Sequence, residues 1–125
     1  MLGHRLAFLA IAASSIAALP SLAAAERGSY VYCSNGIACM MAPCPSGNAL
    51  DLATGKVIEG VAIDTSPLSL QDRASPDVSE KLYAGKIVVR GSIQHRGSEH
   101  DPPSLVVTSI ERATKQSERK LCSAH

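Results

Sequence analysis

Four cysteines, Cys33, Cys39, Cys44 and Cys122, constrain this 125-residue chain more than any other feature. A chain of that length holds one small domain, whose core alone leaves a narrow stability margin. Whether the sulfurs form bridges, bind metal or do redox work depends on the compartment, and the first residues bear on that. His4 and Arg5 precede an apolar run from Leu6 to Leu19, broken only by Ser14 and Ser15. Pro20 and Ser21 end the run, and Ala23-Ala24-Ala25 offers small residues at −3 and −1. This is the basic, apolar and A-x-A order of a signal peptide, so residues 1–25 are expected to be removed before Glu26. A run of about 14 residues is shorter than the roughly 20 that a spanning helix needs. The remaining residues, 26–125, are therefore expected in the periplasm or outside the cell, with no membrane span.

In an oxidising compartment an even number of cysteines in a short domain reads as two disulfides. Three pairings are open, of which Cys39 with Cys44 and Cys33 with Cys122 is favoured. The first closes a tight loop over Met40-Met41-Ala42-Pro43, and the second ties an early strand to the C-terminal end. A bridge closing roughly 90 residues is worth about 4–5 kcal/mol by chain entropy. The rival is metal: Cys39, Met40, Met41, Cys44 and His125 are soft donors of the kind a copper(I) site uses. Zinc could take cysteine with His95 or His100. The spacing from Cys33 to Cys39 to Cys44 fits no common zinc pattern, and there is no C-x-x-C for a redox pair.

Composition narrows the partners. Arg5 is the only charged residue before Glu26, and beyond it acids and bases balance. The lone Phe lies in the leader, there is no Trp, and Tyr30, Tyr32 and Tyr83 are the only other aromatics. A nucleic-acid partner is not expected, for want of both a basic excess and stacking platforms.

Patterning gives a small α+β, mostly β domain in the order β-β-β-α-β-β over residues 26–112, followed by a polar tail at 113–125. Ser29–Cys33 is a strand, and Ser34–Asn48 a loop marked by Asn35-Gly36, Pro43 and Pro45. Asn48–Leu52 and Lys56–Ile63 flank a hairpin turn at Ala53-Thr54-Gly55. Val57, Val61 and Ile63 fall on one face of the second strand, with Glu59 as an exception. Leu68 and Leu70 are buriable residues in the connection that follows. A helix starts after Ser75 with Pro76 at its first position and stops before Gly85; Val78 and Leu82 form its stripe. Ile87, Val89 and Ile93 alternate with polar residues in the next strand. In the last, Leu105 and Val107 face one way, Val106 and Ile110 the other. The tail has Leu121 as its apolar anchor and Cys122 as its stitch. This order suits an OB-type barrel or a simpler antiparallel sheet with one short helix across it.

The sequence Cys39-Met40-Met41-Ala42-Pro43-Cys44-Pro45-Ser46 leads into Ala49-Leu50-Asp51-Leu52-Ala53-Thr54-Gly55. Further on stand Gly85-Lys86-Ile87-Val88-Val89-Arg90-Gly91 and Leu105-Val106-Val107. This pattern, over about residues 30–112, resembles small exported bacterial proteins grouped as a domain of unknown function. The resemblance implies a Cys-Pro-rich start and a small β-rich domain; it brings no activity, ligand or catalytic residue.

Candidate chemistry is sparse. Gln94 to Asp101 collects His95, Ser98, Glu99, His100 and Asp101 in one polar turn before Pro102-Pro103, where solvated residues are ordinary. No G-x-S-x-G elbow or glycine-rich phosphate loop accompanies them. Arg90, Arg96, Arg112, Lys115, Arg119 and Lys120 interleave with acids, including a helix-type Glu111–Lys115 pair, and read as a solvated face. Met40 and Met41 on a braced loop are the candidate contact residues. The expected function is a non-enzymatic, disulfide-stabilised module, without cofactor, that binds a protein or envelope component. The alternative is a periplasmic copper- or zinc-binding protein.

Overall fold

A computed structural model describes residues 27–123 together with Gly3. The rest of the expected leader and His125 lie outside the described residues. Five strands carry the fold: β1 (Gly28–Ser34), β2 (Gly47–Asp51), β3 (Val57–Asp64), β4 (Ile87–Gln94) and β5 (Ser104–Ala113). Helices α1 (Leu70–Ala74) and α2 (Pro76–Tyr83) lie between β3 and β4, and α3 (Gln116–Ser123) follows β5.

Each strand pairs with two others, and the pairings close into a barrel of order β1-β2-β3-β5-β4. All pairs are antiparallel except β3 with β5, which run parallel over Ala62–Asp64 and Ser104–Val106. This is the mostly β domain with its expected element order, and the parallel pair replaces the simpler all-antiparallel sheet. A closed ring of five strands cannot alternate direction throughout, and with the other four pairs antiparallel β3 and β5 are left running the same way.

Alternation along each strand builds two apolar layers. Tyr30, Tyr32, Ala49, Val61, Val89, Leu105 and Val107 fill the inside, where Leu68 and Leu82 join them from the helical segment. Val31, Cys33, Leu50 and Val88 face outward and are covered by Cys122 of α3. Burying Val31 and Leu50 completely contributes about 1.5–3 kcal/mol each.

Bulges correct the simple alternation. One extra residue enters β3 between the Gly47–Val61 and Ala49–Ile58 partners. Gly60, at φ 67°, supplies the left-handed residue that such a bulge favours. The parity flips there, so Ile58 joins the inner layer, Val57 the outer one, and Glu59 turns to the exterior. The Glu59 exception has that cause. In β5 an extra residue at Thr108 separates the Gly91–Val107 and Arg90–Ser109 partners, which puts Ile110 on the inner side with Leu105 and Val107. At Gly91 a Cβ would collide with the Val106 carbonyl, so only glycine permits this approach.

The local signals at helix α2 act as their chemistry requires. Ser75 Oγ accepts from Val78 N–H at 3.3 Å, and Pro76 occupies the first turn. The C-terminus closes with Lys86 N–H donating to Lys81 O and Gly85 N–H to Leu82 O, the paired bonds of a Schellman motif. Elsewhere the expectation changes. Leu70 begins α1 and is exposed, because Ser69 Oγ accepts Asp72 N–H and starts a separate turn. Leu121 is also exposed; Cys122 is the buried residue of α3. The segment read as a polar tail thus forms the outer cover of β1 and β2.

Candidate functional site

The Cys39–Cys44 bridge, S–S 2.01 Å, closes the tip of the loop between β1 and β2. Asn35 fixes its root: the backbone N–H donates to Ser46 O at 3.0 Å, and the side-chain amide donates to Pro45 O at 2.9 Å. Asn35 Oδ1 in turn accepts from Ile37 N–H at 2.9 Å. A loop pinned at root and tip has little freedom left to lose. Met40 and Met41 ride on it at 102 % and 81 % relative exposure, so neither packs under the loop.

Beside this loop lies an open groove of about 680 Å³. Pro43 and Ser46 come from the loop, Asp64 and Ser66 from the end of β3, and Arg73 and Tyr83 from the helical segment. A smaller cavity of about 90 Å³ adjoins it, walled by Leu68, Val78 and Leu82; Thr65, Arg73 and Tyr83 line both.

The groove is seated on Tyr32. Its hydroxyl donates to Val61 O at 3.1 Å and lies 3.2 Å from Ser46 Oγ, while its ring meets Tyr83 edge-on at 5.8 Å. Burial raises the Tyr32 phenol above its usual range, so it stays a neutral hydrogen-bonding group. Asp64 has its carboxyl lowered by accepting from Ser66, with the Arg96 guanidinium at 2.7 Å as a further cause. Both of its oxygens are engaged, one by Ser66 N–H at 2.9 Å and one by Arg96.

Most arginines on this domain are similarly spent. Arg90 bonds Glu111 at 3.2 Å, Arg112 grips Glu118 with two bonds of 2.8 Å, and Arg119 donates to Thr114. The expected Glu111–Lys115 pair does not form, because Glu111 lies on β5, where it takes Arg90 and the Ser29 hydroxyl. Arg73, by contrast, is exposed at the groove with no ion-pair partner among the described residues.

Comparisons with family models, with curated proteins and with solved structures found no match to this chain. The site is therefore read from its own chemistry. Cys33 and Cys122 are bonded at 2.00 Å beneath α3, remote in sequence but joined across the outer layer. The soft-donor set Cys39, Met40, Met41, Cys44 and His125 is not assembled: both cysteine sulfurs are consumed by their mutual bond, and His125 is outside the described residues. His95 and His100 sit on the β4–β5 loop, where Asp101 accepts from Ser98 N–H at 3.1 Å. No group of three or more His, Cys, Asp or Glu is placed to hold a metal among the described residues. Nor is any described helix long and apolar enough to cross a membrane.

Sequence reasoning names the methionine loop, whose Met40 and Met41 are exposed, and does not name the groove residues Ser46, Asp64, Ser66, Arg73 and Tyr83 as candidates. These come from separate elements, and no spacing links them. The one available signal was Tyr83, an aromatic at a helix end in a chain with few aromatics. Together they offer hydroxyls, one uncommitted guanidinium, an aromatic edge and two thioethers: groups suited to recognition.

Proposed function

We propose that this chain is an exported, non-enzymatic binding module of the cell envelope, with the Cys39–Cys44 loop and the adjoining groove as its contact surface. The leader at residues 1–25, the two disulfides and the resemblance to small exported proteins support the setting. The observation that carries the reading is the full exposure of Met40 and Met41 on a loop closed by a bridge and rooted by Asn35. Adjacent exposed apolar side chains on a small domain mark contact sites more often than chance scatter does. Thioether side chains adapt to varied apolar surfaces, and a pre-stiffened loop loses less entropy on association.

The test places a benzophenone amino acid at Met40 in the full chain, produced in an exporting cell and illuminated. A control carries the same group at Leu121, which is exposed on α3 but does not line the groove. A discrete adduct from position 40, absent from position 121 and lost when Met41→Asp is added, is expected. No adduct, or the same adduct from both positions, overturns the reading.

A further inference from the structure

The two adjoining cavities share Thr65, Arg73 and Tyr83, and Arg73 is the cation common to both. The groove is lined by hydroxyls from Ser46, Thr65, Ser66 and Ser104, groups that both donate and accept. The smaller cavity sets Leu68, Val78 and Leu82 beside the polar Thr65, Asp72 and Ser79 and has about 90 Å³, room for roughly six to nine waters or one aliphatic side chain. Arg73 lines both. Its planar guanidinium offers a fork suited to a carboxylate, and no acid of the described residues takes it. Asp64, the acid in the groove, is already held by Arg96 and Ser66 and does not compete for it. Asp72 lines the smaller cavity and would repel an acidic side chain there while leaving an uncharged one unaffected.

We propose that this pair of cavities receives the free C-terminus of a polypeptide ending in an aliphatic residue. Arg73 takes the α-carboxylate, the Leu68–Val78–Leu82 cavity takes the terminal side chain, and the hydroxyl-lined groove takes the preceding backbone. The same carboxylate and apolar group occur in a free amino acid, but the groove extends well beyond the volume those two groups need. Its hydroxyls match the alternating N–H and C=O of a peptide. Met40 and Met41 stand on the loop that borders the groove, where they can meet residues upstream of the terminus. The inference rests on the binding-module reading and names the chemical class of its partner.

The test is fluorescence polarisation with the full exported chain and a fluorescein-labelled Ser-Gly-Ser-Gly-Leu peptide. Its companions are the C-terminal amide, a version ending in Asp, and unlabelled N-acetyl-leucine as competitor. The free acid is expected to bind at least about tenfold tighter than the amide and than the Asp-ended peptide. Arg73→Gln should erase the preference for acid over amide, and Arg73→Lys should keep part of it. Because Arg73 makes no ion pair, both variants should retain the parent unfolding midpoint, which separates lost binding from lost folding. Equal binding of acid and amide, an unaffected Arg73→Gln, or no peptide bound at about 1 mM overturns the proposal. Competition by N-acetyl-leucine as tight as the peptide overturns the assignment to a polypeptide. A Met40 photo-adduct that survives Arg73→Gln and is not displaced by the peptide would keep the loop as a contact surface and remove the C-terminus assignment. Peptide binding without any Met40 adduct would do the reverse, keeping the groove and removing the loop.

Discussion

The two disulfides should differ sharply in what their removal costs, because they close loops of very different length. Cys33 and Cys122 are 89 positions apart and Cys39 and Cys44 only 5. Chain-entropy reasoning gives about 4–5 kcal/mol for the long bridge and about 2 kcal/mol for the short one. The long-bridge figure is a large part of the roughly 5–15 kcal/mol that holds a small domain folded. Packing adds to it: Cys122 is fully buried against Val31, Leu50 and Val88 and is the only buried residue of α3. The paired substitutions Cys33→Ala with Cys122→Ala, and Cys39→Ala with Cys44→Ala, each leave the other bridge intact. Urea unfolding should show the long-bridge variant shifted by about 2 M or more, with a midpoint temperature lower by on the order of 20 °C. The short-bridge variant should lose less than half as much. Hydrogen exchange should show α3 amides deprotected in the first variant alone. If the short-bridge variant loses as much as the long-bridge one, or α3 stays protected without Cys122, the reasoning fails.

Three further outcomes follow from single side chains. Glu118 has its carboxyl lowered to about 2 by the Arg112 fork and the Lys115 N–H at 2.7 Å. A depressed folded-state value means this stabilisation is complete above the ordinary 4.5 and is shed as pH falls toward about 2. Glu118→Gln should therefore lower the unfolding midpoint by on the order of a few degrees at neutral pH, and the difference from the parent should vanish near pH 2 on thermal scans. Gly91→Ala places a methyl against the Val106 carbonyl and should cost about 1–3 kcal/mol or more, read from urea midpoints. Tyr32→Phe removes the donor to Val61 O, leaves Ser46 without its partner, and should cost about 0.5–1.5 kcal/mol by the same measurement.

The parts of this molecule that were legible in the sequence are those decided within a few residues. Ser75, Pro76 and Gly85 bound α2 through hydrogen bonds that span one turn, and Ile87, Val89 and Ile93 share the inner layer by period two alone. Period two fails at a bulge, and a bulge is decided by the partner strand. For that reason Ile110 and Val57 lie on the opposite side from the one period two gives. Leu70 and Leu121 were misread from hydrophobicity, since a turn started by Ser69 exposes one and the geometry of Cys122 turns the other outward. The outer layer was invisible because its cover is a helix with one buried residue, too polar to announce itself by a stripe.

The groove was illegible for a related reason, and the cause lies in how the charges are distributed. In the sequence Arg73 is one basic residue among many and carries no mark. Only the folded chain shows that Arg90, Arg96, Arg112 and Arg119 each find an oxygen to hold, while Arg73 stands where two cavities meet without one. An exposed ion pair contributes little to stability, commonly about 0–1 kcal/mol, so pairing the other arginines is weak as a stabilising device. Its consequence is selectivity: each committed arginine is unavailable to a passing anion, and the uncommitted Arg73 is left where a concave, partly apolar surface can hold what it attracts. A partner carboxylate would meet Arg73 with less competition than at the paired arginines. Swapping the arrangement is accordingly a sharper probe than deleting it. Asp64→Asn frees Arg96 from its carboxylate partner, itself a groove residue, while leaving Arg73 in place. The released guanidinium should broaden acceptance to the Asp-ended peptide, while Arg73→Gln in the same background should return the site to indifference between acid and amide. A double variant that still prefers the free acid would place the carboxylate on Arg96.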